Sequence, residues 1–321
     1  MQQISSIATV GEILVEFVSH TKGCALERIG PYSGPFPSGA PAIFLDQAAR
    51  MGAKTQMFGG VGDDGFGRAV LTRLRDDGID TDGVSVVDGK STGTAFVSYY
   101  EDGSRDFIFH LANTAADTFT FDPASLKGGS VMLHVSAASL GSAPLRAEIM
   151  KAVRHVLETG GKICCDPNAR PELMRDTAAK DALQEVVAQS HILMPSTSDL
   201  GFLYPDLDEE AAVEKMLQSS AEIVVVKRGA GGSTVIGNGE RHDFTGHRVD
   251  EIDPTGAGDC FCGTFVSLVT LGASLEEAGR MANAAGALAV TRRGPMEGNS
   301  TPEDIKAFLS GQDAPNAGVS S

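Results

Sequence analysis

The stretch DPTGAGDCFCGTFVSLV, residues 253–269, is the most informative segment of the chain. Glycines at 256 and 258 free the backbone to point successive N–H groups at one spot, and the apolar run that follows predicts a helix. Because the first-turn amides of a helix lack intrahelical partners and its N-terminus is partly positive, the pattern predicts an anion-binding turn. Asp259 falls in that turn, where a carboxylate could take the proton of a hydroxyl attacking a bound phosphorus. The structural alternative is a glycine-rich turn with Asp259 as a helix cap.

On the N-terminal side of this stretch, short apolar runs of strand length alternate with segments of helical period. This alternation predicts βαβ units, and therefore an α/β fold with a mostly parallel central sheet and helices on both faces. Ligands of such sheets bind at the carboxyl ends of the strands. The predicted strands are Ile7–Val10, Ile13–Val18, Thr55–Phe58, Val84–Val87, Ala95–Tyr100, Val131–Val135, Lys162–Cys165, Ile192–Met194 and Ile223–Val226. The predicted helices are Ala42–Met51, Phe66–Asp77, Ala143–Thr159, Lys180–Gln189 and Asp208–Ser219.

Two segments interrupt the alternation. Residues 18–37 are rich in Gly, Pro and Ser, and residues 91–110 contain two period-2 runs around the turn Glu101-Asp102-Gly103, which predicts a hairpin. We expect these two segments to form a small β lid. The large α/β domain then comprises residues 1–17, 38–90 and 111–311, and the apolar-poor end, 312–321, is expected to be a flexible tail.

Composition limits the functional classes. The 321 residues are 42% hydrophobic and 21% charged, which is typical of a globular protein and excludes a disordered chain. A net charge of −16 argues against nucleic acid as a partner, so an anionic ligand would have to be held by backbone amides, a few local cations and a metal. The five cysteines have no framework spacing, which favours reduced thiols in a cytoplasmic protein. We expect neither a leader peptide nor a membrane span.

Two glycine-rich segments resemble nucleotide-binding patterns but do not support that role. Gly60–Gly65 matches G-x-G-x-x-G between a strand and a helix, but Asp63 and Asp64 would repel a pyrophosphate there. A glycine-rich turn with acidic helix-capping residues is the better interpretation. Residues 89–91 read Gly-Lys-Ser, yet a P-loop would need glycine where Val84 stands.

Residues 253–259 resemble the D-T-x-G-A-G-D motif of the ribokinase-like, or PfkB, carbohydrate kinases, with Pro254 in place of the usual Thr. Further resemblances follow in family order over nearly the whole chain: Val10–Glu12, Ser38–Ala42, Gly59–Gly67, Thr92–Ala95, Val226–Gly232 and Arg292–Gly294. The resemblance implies a ribokinase-like sheet with a small β lid. It also implies transfer of the γ-phosphoryl group of ATP to a sugar hydroxyl, with Mg²⁺ and, in many members, K⁺.

The family motifs assign roles on the phosphate side. Asp259 matches the catalytic base, and Gly256, Ala257 and Gly258 match the anion hole. The residues implied for the nucleotide are Lys227, Gly229, Gly232 and Asn283, although Asn283 could equally be a packing amide. The residues implied for a monovalent cation are Asp253 and Thr255 with carbonyls near Ala289 and Gly294, and Asp199 is implied for Mg²⁺.

On the sugar side, Gly11-Glu12 and Asp166-Pro167-Asn168-Ala169-Arg170-Pro171 resemble fructokinase-like and 2-keto-3-deoxygluconate kinase-like members. In that motif Arg170 reaches toward the substrate, where a guanidinium suits sugar hydroxyls or a carboxylate; a surface arginine is the alternative. The residues implied or proposed for the sugar are Glu12, Gly39, Tyr99, Arg105, Phe107, Asn168 and Arg170. Three of them, Tyr99, Arg105 and Phe107, belong to the predicted lid, and ordinary inward-facing residues of a hairpin would show the same pattern.

Two departures from the family affect the expected chemistry. Ile43 stands where members usually have an Asn that contacts sugar hydroxyls, so one polar contact is lost. The family's N-x-x-E appears as Ser196-Thr197-Ser198-Asp199, which alters the handling of Mg²⁺.

We therefore expect an ATP-dependent kinase acting on a primary hydroxyl of a ketohexose such as fructose or tagatose. A 2-keto-3-deoxygluconate kinase and a non-catalytic sugar or nucleoside sensor on the same fold remain alternatives. The expected partners are a small sugar and ATP, without nucleic acid or membrane, and two chains are expected to pair through the lid.

Overall fold

The computed structural model of the chain describes residues 4–101, 104–169, 174 and 176–312. Within these residues the chain forms a nine-stranded sheet and a separate four-stranded sheet. In chain order the strands are Ser6–Val10 (β1), Leu14–Ser19 (β2), Tyr32–Ser38 (β3), Thr55–Gly62 (β4), Asp80–Val87 (β5), Gly93–Tyr99 (β6), Arg105–His110 (β7), Val131–Ser136 (β8), Lys162–Asp166 (β9), Ile192–Leu193 (β10), Ile223–Lys227 (β11), Ser233–Gly237 (β12) and Glu240–Phe244 (β13). The helices are Ala40–Arg50 (α1), Gly65–Asp76 (α2), Ala143–Glu158 (α3), Thr177–Gln189 (α4), Thr197–Leu203 (α5), Glu209–Leu217 (α6), Ala257–Thr270 (α7), Leu275–Ala289 (α8) and Pro302–Gln312 (α9).

The large sheet has the strand order β13-β12-β11-β10-β9-β8-β1-β4-β5. Every neighbouring pair from β11 to β5 is parallel, and β12 and β13 add an antiparallel edge. The predicted mostly parallel sheet is therefore confirmed. Strands β1, β4 and β8 are buried along their whole length, as expected of parallel strands covered by helices on both faces.

Each face of the large sheet has its own core. On one face the buried side chains come from α3, α4 and α6, for example Ile149, Leu183 and Val213. On the other face they come from α1, α2, α7 and α8, with Phe44 and Phe265 among them. The predicted layers of helices on both faces are thus present.

The glycine-rich segment before α2 is a capped turn. Asp64 is the N-cap of α2, and its carboxylate accepts hydrogen bonds from the amides of Gly67 and Thr92, each at 2.8 Å. These backbone bonds outweigh the effect of burial and hold the pKa of Asp64 below its ordinary value. A charged carboxylate thus occupies the helix N-terminus that a pyrophosphate would need, so the capping interpretation is confirmed.

The small sheet has the order β3-β2-β6-β7. Strands β6 and β7 pair antiparallel, as the predicted hairpin requires. The strands of the small sheet extend beyond the first predicted lid segment, 18–37, at both of its ends, because β2 begins at Leu14 and β3 continues to Ser38. Periodicity identifies the strand Ile13–Val18 but carries no information about which sheet it joins.

The C-terminal helix α9 includes Gln312, so the first residue of the predicted tail is helical and the remainder lies outside the described residues. Among the described helices, none combines the length and the apolar character needed to cross a membrane.

Candidate active site

The N-terminus of α7 opens into a cavity of about 1160 Å³. Gly256 precedes the helix in a left-handed conformation, with φ of 79°, and an added Cβ would lie 2.3 Å from the carbonyl oxygen of Pro295. Within the described part of the chain no side chain caps α7, and the Ala257 amide donates to the carbonyl oxygen of Pro254 only at 3.5 Å, so the N-terminus of the helix can receive an anionic ligand. The geometry agrees with the predicted anion-binding turn.

Asp259 lies in the first turn of α7 and lines this cavity together with Gly256, Ala257 and Gly258. Its side chain is 8% exposed. A carboxylate beside an anion-binding turn can accept a proton from a hydroxyl that attacks the bound anion. The arrangement is therefore competent for the base role that the motif predicts.

Lys227, the last residue of β11, forms an ion pair with Asp166, the last residue of β9, in the same cavity. Its Nζ also lies 3.4 Å from Cys262 Sγ, and 3.6 Å from the position that a Cβ on Gly258 would take. Burial alone would lower the pKa of the Lys227 ammonium, but the Asp166 carboxylate raises that pKa above its ordinary value. A permanent positive charge therefore lies beside the turn.

Two loops continue the cavity away from α7. The turn after β11 supplies Gly229, Ala230 and Gly232, and the segment after β13 supplies residues 246–249. Arg228, which precedes Gly229, forms an ion pair of 2.5 Å with Glu209 of α6. This part of the cavity is where the K-x-G-x-x-G resemblance places a nucleotide.

Asn283 of α8 lines the same cavity but is also a packing amide. Its Nδ2 donates to the carbonyl oxygen of Thr245 at 2.7 Å, and its Oδ1 accepts from Ser233 Oγ at 3.3 Å. These contacts connect α8 to β12 and to the loop after β13. Contact with a nucleotide stays a prediction.

Asp253 organises the loop that leads into α7. Its Oδ1 accepts from the Thr255 amide at 3.0 Å and from the Tyr99 hydroxyl, and its Oδ2 accepts from the Gly294 amide at 2.9 Å. The predicted cation residues Asp253, Thr255 and Gly294 therefore lie together, with Ala289 on the neighbouring helix α8. Both oxygens of the Asp253 carboxylate accept hydrogen bonds from the protein, and cation binding there stays a prediction.

The predicted sugar residues fall into two groups. Asn168 and Arg105 line the cavity, whereas Glu12, Gly39, Tyr99 and Phe107 are not among its lining residues. The carboxylate of Glu12 accepts from Ser139 Oγ, and Glu12 O lies 2.5 Å from where a Cβ on Gly39 would be.

Three side chains place the lid relative to this cavity. Arg105 of β7 extends from the small sheet into the cavity, and its guanidinium carbon lies 5.3 Å from the ring centroid of Phe107. Tyr99 of β6 contacts the Asp253 loop instead, through its hydroxyl. The lid thus reaches the cavity through Arg105 and the Asp253 loop through Tyr99.

Asp199 lines the cavity but is committed to backbone contacts. It forms a capping box with Ser196 at the start of α5, and its Oδ1 accepts from the Ala169 amide at 2.7 Å. Among the described residues no group of three or more His, Cys, Asp or Glu side chains could hold a metal. A role for Asp199 toward Mg²⁺ stays a prediction.

Sequence reasoning missed two contributors. Asp166 lay within the quoted D-P-N motif but was not assigned a role, although a carboxylate ending a buried strand was a usable signal. The loop at residues 246–249 carries no pattern that could have revealed it. Arg170 lies outside the described residues.

Comparison with known proteins places this site in context. A model described as "pfkB family carbohydrate kinase" matches residues 5–302. Fructokinase-1 of Oryza sativa subsp. japonica is 31% identical over 314 residues, covering 94% of this chain and 96% of that protein. The fructokinase of Vibrio alginolyticus is 31% identical over 282 residues, covering 85% and 91%.

Solved structures agree with the sequence relatives. An E. coli protein provisionally assigned as ribokinase II, solved in complex with ATP and Mg²⁺, is 40% identical with a TM-score of 0.90, covering 96% of this chain and 99% of that one. The fructokinase of Vibrio cholerae O395, solved with fructose, ADP and a calcium ion, is 25% identical with a TM-score of 0.82, covering 95% and 99%. With the family model matching nearly the whole chain, the chain belongs to the pfkB family of carbohydrate kinases.

Proposed function

We propose that this sugar kinase transfers the γ-phosphoryl group of ATP to a primary hydroxyl of a ketohexose, fructose or a close analogue such as tagatose. The observation that carries the proposal is the single cavity shared by the α7 N-terminus, Asp259 and Lys227. The fructokinase relatives support a ketohexose as the acceptor.

The proposed transfer is an in-line displacement. The sugar hydroxyl oxygen forms a bond to the γ-phosphorus while the bond from that phosphorus to the bridging oxygen breaks, and the hydroxyl proton passes to the carboxylate of Asp259. The amides at 257 and 258 and the ammonium of Lys227 stabilise the negative charge on the transferring group. ADP leaves with the electron pair of the broken bond.

Mg²⁺ would enter the cavity bound to the phosphates of ATP and neutralise part of their charge. The lid supplies Arg105 over the same cavity, and its closure excludes water that would otherwise accept the phosphoryl group. Because a guanidinium also suits a carboxylate, Arg105 is the observation that keeps a keto-deoxy sugar acid as a second candidate acceptor.

A coupled assay of ATP consumption tests the proposal. The panel contains fructose, tagatose, 2-keto-3-deoxygluconate, ribose and nucleosides, each with Mg²⁺ and with or without K⁺. We expect kcat/KM to be highest for a ketohexose. Phosphorus NMR of the product shows whether the phosphorylated hydroxyl is primary, since a phosphate on a CH₂ group couples to two protons. Preference for the sugar acid would favour the second candidate, and ATP consumption that no sugar stimulates would favour a sensor.

The variant Arg105→Met separates the two acceptors, because it removes the guanidinium while keeping a long apolar stem. Arg68→Met is the matched control, since Arg68 pairs only with the exposed Asp63 among the described ion pairs. A sugar-acid kinase should lose far more kcat/KM in the first variant than a ketohexose kinase would.

We also infer that two chains pair through the lid. In the small sheet Phe17, Phe96 and Ile108 lie in register on neighbouring strands, and Ile108, on the edge strand β7, is 54% exposed. Sedimentation velocity should give a dimer that Ile108→Glu dissociates. The control Leu271→Glu changes an equally exposed residue at the end of α7 and should leave the dimer intact; a monomeric wild type would contradict the inference.

A further inference from the structure

The carboxyl ends of β9 and β11 bring two opposite charges together across a gap. Strand β10 lies between them but has only two residues, Ile192 and Leu193, so it ends before its neighbours do. Asp166 continues the row of Cys164 on β9, and Lys227 continues the row of Val225 on β11. Since side chains two apart share a face, both charged groups project toward the face that α7 covers.

The two charged groups and one thiol of α7 form a closed triangle. Lys227 Nζ donates to Asp166 Oδ2 and lies 3.4 Å from Cys262 Sγ, and that sulfur lies 3.4 Å from Asp166 Oδ2. The other carboxylate oxygen of Asp166 accepts from the Asn168 amide at 3.1 Å. Asp166 is 2% exposed, so its position is fixed on every side.

This triangle leaves one direction open to the ammonium. An ammonium has three donors, and Asp166 of β9 and Cys262 of α7 take two of them. Nζ also lies 3.6 Å from the Cβ position of Gly258, in the first turn of α7. The third donor can therefore reach an anion bound at that turn.

We propose that Asp166 is a positioning residue for phosphoryl transfer: it holds Lys227 Nζ beside the amides at 257 and 258, where the ammonium contacts the transferring γ-phosphoryl group. This inference rests on the proposed kinase function and extends it to a carboxylate that itself touches no substrate. Asp166 acts only through Lys227.

The surrounding groups support a charged lysine at this place. Apart from Asp166, the titratable groups that face it are Cys165 of β9, Cys262 and Asp259 of α7, Asp199 of α5 and His134 of β8. Burial lowers the pKa of His134 to about 3, so its ring is neutral, and burial raises the pKa of the Cys262 thiol, so its sulfur is uncharged. The Asp166 carboxylate is thus the counter-charge in direct contact with the ammonium.

The same two strands provide a matched control at their opposite ends. Lys162, the first residue of β9, forms a 2.5 Å ion pair with Glu222, which precedes β11. That pair also connects β9 to β11, but it lies at the amino ends of the two strands, whereas Asp166 and Lys227 lie at the carboxyl ends. A purely structural role for Asp166, as a tie between strands, should be mimicked by Glu222.

The test is a double-mutant cycle on kcat with Asp166→Asn, Lys227→Met and the double variant. We expect Lys227→Met to lower kcat about 100-fold and Asp166→Asn about 10-fold, while the double variant is no slower than Lys227→Met within about twofold. Glu222→Gln should stay within about twofold of wild type.

In Asp166→Asn, kcat should also fall as pH rises from about 7 to about 9, because burial without the carboxylate lowers the pKa of Lys227. Thermal unfolding of each variant checks that it is folded.

Two kinetic outcomes would overturn the inference. One is a further tenfold loss when Asp166→Asn is added to Lys227→Met, which would mean that Asp166 acts independently. The other is a loss in Glu222→Gln equal to that in Asp166→Asn. Failure of the proposed function is recognised separately, since wild type would then turn over no sugar.

A binding measurement decides the inference even in that case. Calorimetry in the presence of Mg²⁺ compares the affinity for a non-hydrolysable ATP analogue with that for ADP, which lacks the γ-phosphoryl group. Asp166→Asn and Lys227→Met should both reduce the preference for the analogue at least fivefold, and Glu222→Gln should not. An unchanged preference in the first two variants would refute the contact.

Discussion

The turn before α7 requires glycine at 256, and the consequence can be calculated from the structure. In Gly256→Ala the left-handed φ of 79° costs about 1–2 kcal/mol for a residue with a Cβ. The new Cβ would also lie 2.3 Å from the Pro295 carbonyl oxygen, where ordinary contact begins at 3.4 Å. Displacing the 294–296 loop to relieve this contact costs about 1–3 kcal/mol, as overpacking of a buried site does. We expect the free energy of unfolding to fall by about 2–5 kcal/mol.

Two control glycines separate the contributions. Gly272 has φ of 92° and open space around its Cβ position, so Gly272→Ala should cost only the backbone strain, about 1–2 kcal/mol. Gly258 is inside α7 with Lys227 Nζ at 3.6 Å, so Gly258→Ala should leave stability unchanged or gain up to about 1 kcal/mol, yet lower kcat by crowding the anion site.

The assay is urea unfolding followed by far-ultraviolet circular dichroism, which suits a chain without tryptophan. The reasoning would be refuted if Gly256→Ala were no less stable than Gly272→Ala, because the contact with Pro295 would then have no energetic weight.

Two further predictions concern the lid and a buried carboxyl. Tyr99→Phe removes the hydroxyl that connects the lid to Asp253, so it should accelerate amide exchange in β6 and raise the KM for the sugar. The control Tyr100→Phe removes a hydroxyl that bonds Asp106 within the lid, and it should do neither. Equal effects of the two variants would contradict the connection between Tyr99 and Asp253. Burial raises the pKa of Asp46 to about 7 from an ordinary 3.8, so unfolding releases a proton between these values and rising pH favours the unfolded chain. From pH 5 to pH 7 the free energy of unfolding of the wild type should therefore fall relative to that of Asp46→Asn, as measured by urea unfolding. If the difference in free energy of unfolding between the two proteins stayed constant over this range, Asp46 would not titrate there.

Much of the fold followed from local patterns in the sequence. The strands of the parallel sheet are short apolar runs, and helices such as α2 and α3 begin at capping residues, Asp64 and Ser142, that the sequence displays. Strand β3 was missed because Tyr32–Ser38 is rich in Gly, Pro and Ser and its burial is incomplete. Its place is determined by pairing with β2, which is a long-range contact.

The candidate site was predictable where backbone chemistry determines it. The glycine turn before α7 and Asp259 occupy the expected positions because both belong to one helix start. The Asp166–Lys227 pair was not predicted, since 61 residues separate the two and only the short strand β10 lets them meet. Ile43 stands at the position where family members usually have an Asn, and it is 2% exposed. Its Cγ2 would lie 3.2 Å from a Cβ on Gly256, so this apolar side chain packs under the turn before α7.

The central claim is that Asp259 takes the proton of the attacking sugar hydroxyl at the α7 anion site. Its most direct test is Asp259→Asn, assayed for fructose-dependent ATP consumption alongside calorimetry with ADP. We expect kcat to fall by about 100-fold to 10,000-fold while the Kd for ADP stays within about twofold of wild type. A variant that retains near-normal turnover would contradict the assignment of Asp259 as the base.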